Sequence, residues 1–231
     1  MFASVATTTY ARLARRAGAL YLAMMPFGFF AIVYVPSKVQ VTGSALLDAG
    51  AGLSTLLVVG VASHLVGQLL FLGLVLTLFR LLAPHHHTWA LLMAALAIIG
   101  IPLTLFNEVH HLSVVDLLRL PAGTPWSREE VASMASLQVQ ARAHGIMLSQ
   151  VFWGLWLLPL GGLVIKAGYF PWLIGPLLLI AGLGYVVDVG IQLIAPMSTF
   201  RVTAFTFIGE VVFPLWLLIR GGRIPEASLA R

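Results

Sequence analysis

The chain has 231 residues, of which 60% are hydrophobic and only 9% charged, with a formal net charge of +5 and a mean hydropathy of +0.99. Soluble domains carry roughly a quarter charged residues, so a water-soluble globular protein is excluded. Cysteine is absent, which removes disulfides, iron–sulfur clusters and thiol catalysis. The basic balance does not point to nucleic acid, because the 13 Lys and Arg residues lie mostly at the ends of apolar runs, where they orient membrane helices.

Those runs are continuous rather than alternating and approach the roughly 20 residues needed to cross a bilayer. Only helices and closed barrels satisfy every backbone polar group in lipid, and continuous runs select helices. The expected fold is therefore an all-α polytopic membrane helix bundle, a single integral membrane domain over residues 1–231. Its six spans are expected at about 17–36, 52–82, 89–111, 143–165, 171–194 and 201–219.

The first span follows Arg12, Arg15 and Arg16 and continues to Tyr34-Val-Pro-Ser-Lys38, longer than a signal-peptide core, so it reads as an uncleaved anchor. In the second, Gly60, Ser63 and Gly67 share one face suited to close helix contact. Pro84-His85-His86-His87 resembles a metal tag, but adjacent residues point in different directions, so a solvated turn is expected. The third span changes character at Asn107-Glu108-Val-His-His111, with Pro102 placed to kink it. After a loop over 121–127, Ser127-Arg-Glu-Glu130 reads as a capping box. The helix it starts, from 128 to 165, is about 57 Å long at 1.5 Å per residue. It must extend beyond the bilayer or break, and His144-Gly145 is the expected break. Gly175, Gly182, Gly184 and Gly190 make the fifth span the expected place for a bend.

Six spans put both termini on one side. Arg12, Arg15, Arg16, Arg80, Lys166, Arg220, Arg223 and Arg231 share that side, and Lys38, Arg119, Arg128, Arg142 and Arg201 fall on or near the other. The bias places the termini in the cytoplasm, with the chain multi-pass in the inner (plasma) membrane.

Ionisable groups inside such spans are costly and need partners. Counting from the basic anchors puts His64, Glu108, His111, His144 and Asp188 in the outer third, and Glu210 deeper, near the midplane. Gln68, Arg142, Gln150, Gln192 and Arg201 lie in the same layers or one turn away. His64 with Gln68, Asp188 with Gln192, and Glu108 with His111 share helix faces. Arg142 and Arg201 are the cations within reach of Asp188 and Glu108. Glu210 is expected to be protonated or paired across helices.

Several readings stay open. A network of polar side chains can act as glue between helices, giving a structural membrane subunit with no chemistry. Glu108-Val-His-His111 has the Glu-x-x-His spacing of carboxylate-bridged metal sites, so Glu108, His111 and His144 are candidate ligands for a divalent metal. His144 beside Asp188 suggests a general base next to an amphipathic substrate. Asp188, Glu210 and His144 suggest a proton relay and proton-coupled transport. No motif decides whether the chain is an enzyme, and none marks an oligomeric state.

The chain resembles a bacterial family of six-span membrane proteins, domain of unknown function 4386. The resemblance rests on Ala17-Gly-Ala-Leu-Tyr-Leu22, Ala143-His-Gly145 followed by Phe152-Trp-Gly-Leu155, and Gly161-Gly-Leu-Val-Ile-Lys-Ala-Gly-Tyr169 before Pro171-Trp-Leu. Ala181-Gly-Leu-Gly-Tyr-Val-Val-Asp188 and Gly209-Glu210 with Leu215-Trp-Leu-Leu218 complete it. It covers residues 12 to 222, most strongly in the last three spans. It implies the six-span architecture and favours His144, Asp188 and Glu210 as the functional core over the Glu108–His111 pair. The leading expectation is a polar intramembrane site, built mainly by helices 4 to 6, that binds a small or lipid-like ligand in the bilayer, with its turnover left open. In it Asp188 orients His144, His144 acts as base or ligand, Glu210 is a protonated acid or hydrogen-bond donor, and His64, Gln68, Arg142, Gln150, Gln192 and Arg201 line the site.

Overall fold

A computed structural model describes residues 2–39, 43–121 and 123–221, and every regular element among these is helical. Six helical stretches are long and apolar enough to cross a membrane: Tyr10–Lys38, Gly50–Leu82, His87–Leu118, Arg128–Ala167, Ile174–Ile194 and Thr203–Arg220. The protein is an all-α membrane bundle with the six expected spans. Arg223 and Arg231, used above for orientation, lie outside the described residues.

Prolines and one asparagine set the interruptions. The first span comprises α1 (Phe2–Phe29), a π-helical turn (Phe30–Tyr34) and α2 (Val35–Lys38). Val35 N–H reaches back to the Phe30 carbonyl; the next such bond would come from Pro36, which has no N–H, so the Ala31 carbonyl is left over. A short α3 (Ser44–Asp48) leads into α4 (Gly50–Leu82), the second span. The third divides into α5 (His87–Phe106) and α6 (Glu108–Leu118). At the division the Asn107 side-chain amide donates to the Leu103 carbonyl at 2.8 Å, competing with the backbone for that acceptor. The fourth divides into α7 (Arg128–Leu155) and α8 (Leu157–Ala167). It does not break at His144-Gly145 as expected; α7 runs unbroken through both residues. The interruption falls at Trp156, where Pro159 offers no N–H to the Leu155 carbonyl and its ring crowds that oxygen. The fifth is α9 (Ile174–Ile194); the sixth is α10 (Thr203–Thr206) with α11 (Ile208–Arg220).

The helices group into two compact units, Met1–Ala23 with Leu70–Ile101 and Ser149–Arg231, and Met24–Leu69 with Pro102–Leu148. In the first, a glycine seam joins the fourth span to α9. A Cβ on Gly182 would lie 2.7 Å from the Gly154 carbonyl oxygen, and a Cβ on Gly161 or Gly175 would lie 2.9 Å from the other's carbonyl. The pairs 154 with 182 and 161 with 175 repeat at seven-residue spacing in opposite chain directions, so one antiparallel register satisfies both. The fifth span is not interrupted at Gly175 or Gly182. It stays helical throughout and uses them for backbone approach.

In the second unit the Gly60, Ser63 and Gly67 face behaves as the pattern suggested. Gly60 abuts Val35, Gly67 abuts Phe27, and Ser63 Oγ donates to the Phe27 carbonyl at 3.2 Å. Val35, Val39, Leu46, Leu53, Leu57, Val114, Val115 and Ala135 form its apolar core. The capping box is present: Ser127 N–H donates to Glu130 Oε2 at 2.7 Å and Glu130 N–H to Ser127 Oγ at 3.2 Å. Asp48 and Arg128 form an exposed ion pair.

Substituting Gly154→Ala or Gly182→Ala should cost about 1–3 kcal/mol by forcing the two backbones apart. Gly190, with nothing within 4 Å of a Cβ, should accept Ala without loss. Unfolding midpoints in detergent check this; equal midpoints for Gly154→Ala and Gly190→Ala would contradict the seam.

Candidate functional site

The second unit holds the densest polar cluster, and Glu108 is its centre. The break at Asn107 makes Glu108 the first residue of α6, where unpaired N–H groups favour a carboxylate. Glu108 is 3% exposed and His64, His111 and Arg142 are equally sequestered. Oε1 accepts from Arg142 Nη2 and from His64 Nδ1, each at 2.6 Å, and Oε2 accepts from Arg142 Nε at 3.3 Å. Arg142 thus clamps both carboxylate oxygens, the fork geometry that makes guanidinium–carboxylate pairs strong.

Two further contacts complete the environment. Arg142 Nη2 donates at 3.2 Å to the Ala31 carbonyl, the acceptor that Pro36 left over in the π-helical turn. On the far side of the His64 ring, Nε2 lies 3.4 Å from Gln68 Nε2. With Nδ1–H given to Glu108, the Gln68 amide nitrogen stands where it can donate to Nε2, an arrangement that suits the Nδ1–H tautomer. His111 Nδ1 sits 3.2 Å from Oε2 but is not aligned for a hydrogen bond. One residue earlier, His110 Nδ1 donates to Gln138 Oε1 at 2.6 Å.

This arrangement opposes the metal reading. A cation beside Glu108 would face the Arg142 guanidinium, and among the described residues no group of three His, Cys, Asp or Glu side chains is arranged to hold a metal. His144 is exposed. It follows Arg142 by two residues, about 200° around the helix, so it cannot share the face that carries Arg142. Gln150 is half-buried.

In the first unit Asp188 has a defined task. Oδ1 accepts from Val202 N–H at 2.6 Å, and Oδ2 from Thr203 N–H at 3.0 Å and Thr203 Oγ1 at 2.5 Å. The carboxylate therefore caps the start of the sixth span, taking N–H groups that would otherwise be orphaned in lipid. Arg201 donates to the Ser198 and Phe200 carbonyls, each at 2.9 Å, and to Gln192 Oε1 at 3.2 Å. Gln192 Nε2 donates to the Asp188 backbone oxygen at 3.3 Å. Asp188, Gln192 and Arg201 are thus brought together around the turn between α9 and α10.

Glu210 lies in the same unit. Its Oε2 accepts from Tyr21 Oη at 2.9 Å, the Tyr185 hydroxyl faces the same carboxyl group, and Oε1 is occluded with no hydrogen-bond partner. Aromatic rings surround it: Tyr21 packs on Trp156 and on Phe213, and Tyr185 on Trp153. Pro214, four residues on, also removes the donor for the Glu210 backbone carbonyl.

The three turn histidines each pack on a different aromatic ring: His85 on Tyr169, His86 on Trp89 and His87 on Phe79. They neither converge nor stand fully solvated. Burial pushes the His85 imidazole below its ordinary range and the Tyr169 hydroxyl above its own.

Sequence reasoning passed over Tyr21, Tyr185, Thr203 and the Ala31 carbonyl. The signals were present: Tyr185 precedes Asp188 by three residues, and Pro36 marks an unpaired carbonyl upstream.

These features define a six-span α-helical membrane protein with buried, hydrogen-bonded ionisable groups. The chain belongs to the family described as Domain of unknown function (DUF4386), whose model matches residues 16–221. It is similar to an uncharacterized protein of the archaeon Archaeoglobus fulgidus, 38% identical over 84 residues, which are 34% of this chain and 48% of the relative. The chain thus matches about half the length of that relative. No solved structure matches it.

Breaking the Glu108–Arg142 pair should cost more than removing it whole. Arg142→Leu alone should lose about 3–5 kcal/mol by stranding a buried carboxylate, while Glu108→Leu/Arg142→Leu should lose less. Unfolding midpoints of the two single variants and the double variant measure this, and additive losses would refute the pairing.

Proposed function

We propose that the Glu108 cluster is an intramembrane binding and acid–base centre for a small or lipid-like ligand, in a protein of the inner (plasma) membrane with cytoplasmic termini. The observation that carries it is the company of Glu108: one carboxylate meets two imidazoles and a guanidinium at full burial. Helix glue rarely needs four ionisable groups at one point, since neutral polar side chains join membrane helices at lower desolvation cost. His64, His111 and Glu108 supply groups that can take and return a proton, and Arg142 supplies a fixed positive charge for an acidic or phosphate-bearing ligand. Gln68 stands where it can donate to His64 Nε2. Asp188, Gln192 and Arg201 brace the sixth span rather than act on the ligand, and His144 and Gln150 are assigned supporting positions on the fourth.

The test compares wild type with Glu108→Gln after purification in nanodiscs. Small molecules released on denaturation are identified by mass spectrometry. A species present near one equivalent in wild type and lost from Glu108→Gln that still purifies as a folded, monodisperse protein supports the reading. The same molecules from both proteins would reduce the cluster to a structural role.

A second reading, proton-coupled transport, is favoured by one observation: Glu210 has an occluded oxygen without a partner. A carboxyl group so placed is able to hold a proton that moves. Proton flux into vesicles should then fall at least tenfold in Glu210→Gln, and unchanged flux removes this reading.

A further inference from the structure

We propose that the first unit binds an anionic glycerophospholipid, with an acyl chain in the groove between α5, α8 and α9 and the headgroup phosphate on Lys166. The groove encloses about 550 Å³ and is lined by Trp89, Leu92, Leu158, Pro159, Gly162 and Leu179, with Lys166 as its one charged residue. Apart from the Trp89 indole and Lys166 the lining side chains are apolar, so a polar solute has little to hold, whereas a hydrocarbon chain loses nothing.

The charged end is built rather than incidental. A Cβ on Gly162 would run into the Trp89 ring, so the absence of a side chain lets the indole lie flat on α8. The Lys166 ammonium then sits 4.6 Å from the centroid of that ring. Among the described residues none of the ion pairs involves Lys166, so its charge faces only the ring and the surroundings. Lys166 stands in the last turn of α8, just before Gly168, whose φ of 72° ends the helix. This is the end of a span, the depth at which lipid phosphates lie.

A second observation points the same way. On the other side of the turn after Gly168, a groove of about 640 Å³ is lined by Tyr169, Phe170, Pro171, Trp216 and Arg220. It repeats the combination of a tryptophan with a cation at the end of a span. Two such arrangements flanking one turn match a leaflet rich in anionic lipid, where each basic residue adds about 1 kcal/mol of attraction.

The test uses the whole protein in nanodiscs of equal parts phosphatidylglycerol and phosphatidylcholine, followed by native mass spectrometry of the lipids retained in mild detergent. Wild type should retain phosphatidylglycerol in preference by about fivefold. Lys166→Gln should cut that preference by at least half, Lys166→Arg should keep it, and Gly162→Ala should reduce retention of both lipids by displacing Trp89. Lys38→Gln, which removes another lysine stacked on a ring (Tyr34, 5.4 Å), should change nothing. Equal retention of the two lipids by wild type overturns the proposal. So does a preference that Lys166→Gln leaves intact, or a stable dimer that excludes lipid from the groove.

Discussion

The ion pair between Glu108 and Arg142 is the constraint around which the second unit is arranged. A carboxylate in a membrane span needs a partner that offsets its lost hydration, here a fixed counter-charge, and a guanidinium there needs acceptors for the donors left over. Each requirement reaches back into the backbone. The helix must restart at Asn107 to put Glu108 in a first turn, and the first span must open into a π-helical turn to free the Ala31 carbonyl for Arg142. Pro36, which touches none of the four ionisable side chains through a hydrogen bond, is thereby part of the site. The His64 ring then occupies the remaining approach to Oε1, with Gln68 at its other nitrogen.

The first unit solves the same problem differently. Asp188 is neutralised by backbone N–H groups and a threonine hydroxyl instead of a cation, and Arg201 is spent on carbonyls and an amide. Glu210 has only phenolic company. One bundle therefore holds three carboxyl groups in three electrostatic settings: ion-paired, capped and aromatic-lined. Environments that differ this much are how one scaffold keeps groups of the same type in different protonation states. This is why Glu108 and Glu210 attract functional proposals and Asp188 a structural one.

Much of this was legible in the residues. Long apolar runs bounded by Arg and Lys located all six spans, and the third and fourth extended as their polar ends required. Helical spacing located Gln68 beside His64 and His111 beside Glu108. What spacing cannot supply is rotation. Arg142 and His144 are two residues apart and equally polar, yet only Arg142 faces Glu108, and depth counting cannot distinguish them. The same limit hid the role of the fifth-span glycines. Gly175 and Gly182 looked like flexible points because flexibility is a property of glycine alone, whereas close packing depends on the partners Gly161 and Gly154 in another span. The break at Trp156 was readable from Pro159 and was masked by the more conspicuous His144-Gly145. The six long apolar helices fix the architecture and leave the choice among carboxyl groups to chemistry.

Nitrogen-15 NMR of the histidine side chains in the lipid-embedded protein tests the central interaction most directly. His64 should carry a proton at Nδ1, shifted far downfield by its short bond to Glu108. The signal should lose this signature in Glu108→Gln and persist in His144→Gln. A His64 ring protonated only at Nε2, or one indifferent to Glu108→Gln, would contradict a site organised around Glu108.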